Sequence, residues 1–217
     1  MEVPAAGAGA GLRIGEAVVD ETWTTDEYGS SHEGHVGVLL EDGSVPEPVY
    51  FDSGSGSGGQ TVSYWSIYDG RRPRRPRAAV LRAVCSCGWT GPEHPLDWRT
   101  IGEQPLREAG LDEADACEDD WDEHTVQVEA TTVPLPAGVT ELLGQLEQEI
   151  EKLAKSSPVA AVKAARRLEI TAIRIAHWPA HDTRHDLTAE QAGAALGLSP
   201  AAARSLLARY GGWSPYH

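Results

Sequence analysis

Apolar residues in the first two-thirds of the chain come in short runs separated by turn-forming clusters. HVGVLLED (35–42), PVYF (48–51), TVSYWSIYD (61–69) and AAVLRAVCSC (78–87) are rich in β-branched, aromatic and aliphatic residues, with Asp-Gly, Gly-Ser and Pro clusters between them. Such runs predict strands joined by hairpin turns, since branched and aromatic side chains suit a pleated surface. HTVQVEATTV (124–133) reads as a further strand, with Val126 and Val128 on one face. The intervening DWRTIGEQPLREAGLDEADACEDDWDEH (97–124) predicts one or two short helices. SGSGSGG (53–59) reads as a flexible hairpin loop; without a following Gly-Lys-Ser/Thr it is no phosphate-binding loop. The Ala/Gly-rich residues 1–15 read as loosely attached.

The period changes at PLPAG (134–138). Beyond it, Val139, Leu142, Leu143, Leu146, Ile150 and Leu153 recur at helical spacing on one stripe. Ser157-Pro158 opens a second helix, with Ala161, Ala165, Leu168, Ala172 and Ile175 on one face, which Pro179 is expected to stop near residue 177. AHDTRHD then reads as a polar link. The expected fold is therefore α+β: a β-rich domain over 16–135 and a helical domain over 139–217.

LTAEQAGAALGLSPAAARSLLARYG (187–211) carries the most organised local pattern. Thr188 with Gln191 forms a capping box, Gly197 supplies a left-handed turn, and Ser199-Pro200 opens a second helix that Gly211-Gly212 ends. Apolar residues fill the inward positions, Ala192, Leu196, Leu198, Ala203 and Leu206, and Gly193 is small where the second helix approaches. This segment resembles the helix-turn-helix family, especially the tails of sigma-factor-like and small bacterial regulator domains. The resemblance covers about 25 residues and implies DNA binding, with Ser199, Ala201, Arg204, Ser205 and Ala208 on the recognition face. Arg204 is the one long side chain there able to contact guanine bidentately, and Arg209 and Arg184 suit phosphates. The competing reading is a plain helical bundle that meets another protein.

Charge bears on this choice. The 217 residues have a formal net charge of −15, yet residues 1–149 hold nine Arg against 28 Asp/Glu, whereas 150–217 hold nine Lys/Arg against five Asp/Glu. The acidity thus lies outside the helix-turn-helix. RRPRRPR (71–77) is the exception within the acidic half: Arg71, Arg72, Arg74, Arg75 and Arg77 read either as an extended arm for a minor groove or as partners of neighbouring carboxylates. The chain has no apolar window long enough to span a membrane and does not start like a signal peptide, so a cytoplasmic location is expected.

Three cysteines make no disulfide framework. Cys85 and Cys87, followed by Gly88-Trp89, and Cys117 with His124 form two Cys/His pairs suited to a four-ligand structural zinc site, with His94 competing for the fourth place. Trp89, Trp98 and Trp121 are candidates for its apolar shell. CSCGW also resembles a motif of uncharacterised bacterial proteins. The alternative is that Cys85 and Cys117 are ordinary core residues. His181 and His185 lie four apart in the polar link and read as solvated. No nucleophile–base pair stands in a recognisable setting, so nothing points to an enzyme. The expectation is a DNA-binding protein, a transcriptional regulator, with an acidic sensing or partner-binding half. A homodimer through the 139–153 stripe is a possible assembly, and a protein-interaction adaptor is the alternative function.

Overall fold

A computed structural model describes residues 22–51, 59–72 and 75–212. The loose N-terminus expected over 1–15 and nearly all of the 53–59 loop lie outside the described residues, as does Arg74. The fold is α+β, as the sequence patterns imply. Antiparallel strands β1 (Gly34–Leu39), β4 (Val80–Cys85) and β5 (His94–Pro95) make one sheet in the order β1-β4-β5; β2 (Val49–Phe51) and β3 (Gln60–Val62) pair separately. The run at 61–69 is strand only at its start, continuing into a 3-10 turn over Trp65–Ile67.

Two short helices, α1 (Trp98–Ile101) and α2 (Leu106–Ala109), lead into α3 (Leu111–Thr131), which packs across β4 and β1. Here the structure corrects the sequence: 124–133 is not a strand but largely the end of α3. Ala114, Cys117, Trp121 and His124 recur at helical spacing and are all buried, while Val126 is 67% exposed. Burial of that one face outweighs the local β preference of the valines and threonines. Leu81, Ala83, Tyr68 and Leu106 complete the core beneath it.

Beyond PLPAG, α4 (Ala137–Ser156) and α5 (Pro158–Asp186) form a hairpin. Pro179 does not end α5, which continues for seven more residues, so AHDTRHD is helical rather than a link. Pro179 is exposed, and the adjacent Ala180 is 4% exposed against the tail. That packing holds the helix through a residue that ordinarily costs about 3 kcal/mol in a helix interior.

The tail is α6 (Ala189–Leu196) and α7 (Pro200–Gly211), folded onto the end of α5. The capping box forms in both directions, Gln191 N–H donating to Thr188 Oγ1 at 3.2 Å and Thr188 N–H to Gln191 Oε1 at 2.9 Å. Gly197 takes φ +66° and Ser199 Oγ caps α7 at Ala202 N–H. Ala180, Ala192, Ala203 and Leu207 make the small core. Two inward assignments change: Leu207, not Leu206, is the buried leucine of α7, and Leu196 is 39% exposed.

Candidate metal centre

β1 and β4 pair with Gly34 opposite Cys85. Continuing that antiparallel register past the strand ends sets residue 32 opposite residue 87. The extension is tied down at Ser86, whose N–H donates to the Glu33 carbonyl at 2.8 Å and whose Oγ accepts from Glu33 N–H at 3.0 Å. On the other side, Cys85-Ser86-Cys87-Gly88-Trp89 closes into a knuckle. Gly88 N–H donates to the Cys85 carbonyl at 2.9 Å, Trp89 N–H points at Cys87 Sγ at 3.4 Å, and Gly88 has φ +94°, a conformation that favours glycine. α3 then lays His124 over the pair.

His32, Cys85, Cys87 and His124 each offer one ligand atom, and these atoms all lie within 4.8 Å of one another. His32 Nδ1 is 3.4 Å from His124 Nε2 and 3.7 Å from Cys85 Sγ; Cys87 Sγ is 3.4 Å from His124 Nε2. A tetrahedral zinc ion with ordinary Zn–S and Zn–N bonds requires N···N edges of about 3.3–3.4 Å and N···S edges of about 3.6 Å. The four residues fit a structural zinc site, with every coordination position filled by protein. Burial lowers the pKa of both histidines, and His32 adds to the effect at His124, so both imidazoles favour the neutral form that ligates. Cys87 is the one exposed member of the four, yet partial desolvation still raises its thiol; a bound dication reverses that preference and draws out the thiolate. Trp89 stacks on His124 with centroids 4.2 Å apart and planes 4° from parallel, forming one wall.

Cys117 is not among the four; His32 takes its place. Cys117 and His124 are seven residues apart on one helix, which separates them by about 10.5 Å along the axis. No single ion spans that distance. Cys117 is instead a fully buried core residue, its thiol pushed up to about 12 by burial and by Asp120 and Glu113 nearby. His94 also lies outside the site, 2.6 Å from Asp120. Of the three tryptophans, Trp89 walls the site and Trp121 belongs to the core with Trp23. Trp98 sits at the other end of β4, donating to the Ala78 carbonyl. The sequence signal for His32 was slight, since its pairing with Cys87 becomes visible only through the strand register.

The centre also touches the tail. The His32 ring also lies beside the backbone of Gly197, the turn residue between α6 and α7, which works against burial in setting the ring's pKa. A backbone group placed there suits the outer partner that a metal-bound histidine takes, which fixes tautomer and ring orientation. Two more contacts seat the same turn. A Cβ on Gly197 would lie 2.5 Å from the Tyr28 ring, whose hydroxyl donates to Glu129, and Val133 N–H donates to the Ala195 carbonyl at 2.9 Å.

On α7, Ala201, Arg204, Ser205 and Arg209 are exposed, while Ser199 is half-buried with its hydroxyl used as a cap. Ser205, Leu206 and Arg209 border a shallow cleft of about 400 Å³ whose opposite wall includes Asp26 and Glu27. The basic stretch is held against its own domain at three points: Arg71 to Asp69 and the Gln104 carbonyl, Arg75 over Phe51 at 4.4 Å, and Arg77 over Trp98 at 4.7 Å. Arg72 is exposed. His181 and His185 share a helical face but are solvent-exposed, each beside its neighbouring aspartate. Among the described residues no helix is long and apolar enough to cross a membrane. No protein-family model matches the chain, and no curated protein or solved structure matches it either.

Proposed function

We propose that the chain is a DNA-binding protein of helix-turn-helix type, serving transcriptional regulation, in which a structural zinc ion sets the position of the DNA-reading tail. The observation that carries this reading is His32, a member of the ligand cluster whose ring lies beside the backbone of Gly197, the turn from which α7 departs. Zinc orders the ring, the ring holds the turn, and the turn aims α7. Arg204 is the base-reading residue in this account and Arg209 a phosphate contact, both on the basic part of the chain.

Fluorescence anisotropy with labelled duplex DNA at two salt concentrations tests it. Each phosphate contact adds about 0.9 to the slope of log affinity against log salt. Arg209→Ala should therefore flatten that slope by about one contact. Arg204→Ala should cost about 1–3 kcal/mol on a preferred sequence and less on others. Affinity that ignores salt and both substitutions refutes the reading. It would leave the adaptor alternative, which the alanine-rich outer face of α7 favours: Ala201 and Ala208 supply apolar contact and no hydrogen bonds to bases.

A further inference from the structure

The helical hairpin leaves its apolar seam half open. α4 buries no residue, although its Val139, Leu143, Leu146, Ile150 and Leu153 follow a strict 4-3-4-3 spacing, the repeat of a helix packed against others along its whole length. Leu142 is 67% exposed, Leu143 50%, and on α5 Ile175 is 65%. α5 packs along α4 but leaves most of this stripe uncovered, and two helices alone cannot enclose a seam of this width. Among the described residues, α5 is the one element that packs extensively against α4.

We infer that this face is covered by a second copy of the chain, the two hairpins closing into a four-helix bundle about a two-fold axis. Charge selects this occupant. α4 carries Glu141, Glu147, Glu149 and Glu151 against Lys152 and Lys155, while α5 up to Ile175 carries Lys163, Arg166, Arg167 and Arg174 against Glu169. In a ring ordered α4, α5, partner α4, partner α5, every acidic helix borders two basic ones. A two-fold axis generates that order without any further sequence requirement, and a self-complementary patch is what an isologous dimer uses. The area is also sufficient. A 20-residue helix is about 30 Å long, and two lying side by side present a face on the order of 600 Å². That is the lower end of the range for stable interfaces, which bury about 600–1,000 Å² per partner.

This inference does not depend on the DNA-binding reading, and sedimentation equilibrium of the full chain decides it. The zinc-loaded protein should sediment at twice its 23.2 kDa chain mass at micromolar concentration. Leu142→Lys with Leu143→Lys should shift it to the monomer mass with the helical circular dichroism intact. Val126→Lys on α3, at a position as exposed as Leu142 but away from the hairpin, should remain dimeric. Should the double variant lose helix, Ile175→Lys on the other helix is read instead, with the same monomer expected. A wild type at the chain mass up to about 100 μM overturns the inference, whether another protein or residues 1–21 then cover the seam. A folded hairpin variant that stays dimeric also overturns it.

Discussion

Gly197→Ala tests whether the metal centre and the tail are one mechanical unit. The left-handed backbone at φ +66° costs a residue with a side chain about 1–2 kcal/mol. The smaller entropy of an alanine in the unfolded chain returns about 0.4–1 of that. The larger effect is steric. The new methyl would sit 2.5 Å from Tyr28 Cε1 and 3.0 Å from Thr132 Cγ2, where carbon atoms prefer about 3.5–4.0 Å. Tyr28 is 6% exposed and anchored through its hydroxyl to Glu129, so the turn must retreat by about 1 Å. A shift of that size moves the Gly197 backbone away from the His32 ring it lies beside. We expect a loss of about 2–3 kcal/mol in denaturant unfolding, together with a 10- to 100-fold weaker zinc affinity measured by competition with a chelator, the range for losing an outer-shell partner. Gly43→Ala is the control: it has the same kind of backbone, at φ +78°, with nothing within 4 Å. It should cost some stability and leave zinc affinity unchanged. Zinc affinity within twofold of wild type in Gly197→Ala refutes the coupling.

Two further expectations follow from buried and facing charges. Cys117 should resist alkylation at neutral pH until the protein unfolds. Its thiol ionises near 9.0 when free and near 12 when folded, so the folded state binds the extra proton. Stability from this residue is therefore full below pH 9 and lost as pH rises towards 12; unfolding free energies measured across that window should decline less in Cys117→Ala. Asp26 and Glu27 face Ser205 and Arg209 across the cleft and oppose phosphates approaching α7. At a charge separation of about 10 Å in water each is worth about 0.4 kcal/mol, so Asp26→Asn with Glu27→Gln should tighten DNA binding by about fourfold at low salt and less at 0.15 M. An unchanged affinity at low salt would mean that DNA does not approach that side of α7.

The parts of the fold that were legible in the sequence are those fixed by local chemistry. The capping box at Thr188, the left-handed Gly197 and the Ser199-Pro200 start of α7 are each specified within four residues, and all three form as read. The knuckle at Cys85–Trp89 belongs with them. What failed depended on packing between distant segments. Val126 and Val128 suit a strand, but residues 114, 117, 121 and 124 bury a continuous helical face under the sheet, and that burial decides the state of the whole segment. Cys117 falls outside the metal site for the same reason, because only a bend after residue 117 could bring it and His124 to one ion. His32 is not legible as a ligand from local sequence, because its partner is set by the β1–β4 register. Pro179 misled because the residue beside it, Ala180, is anchored by α7.

The four ligands tie the metal to the tail, and cobalt substitution reads them directly. Tetrahedral cobalt bound by two thiolates and two imidazoles gives intense visible bands and sulfur-to-metal charge transfer, and the wild-type chain should show both at one metal per chain. Cys117→Ser should keep this spectrum unchanged, whereas His32→Ala should lose the tetrahedral signature or bind with a fourth ligand from water. Loss of the spectrum in Cys117→Ser with retention in His32→Ala would contradict the assignment and, with it, the link between metal and tail.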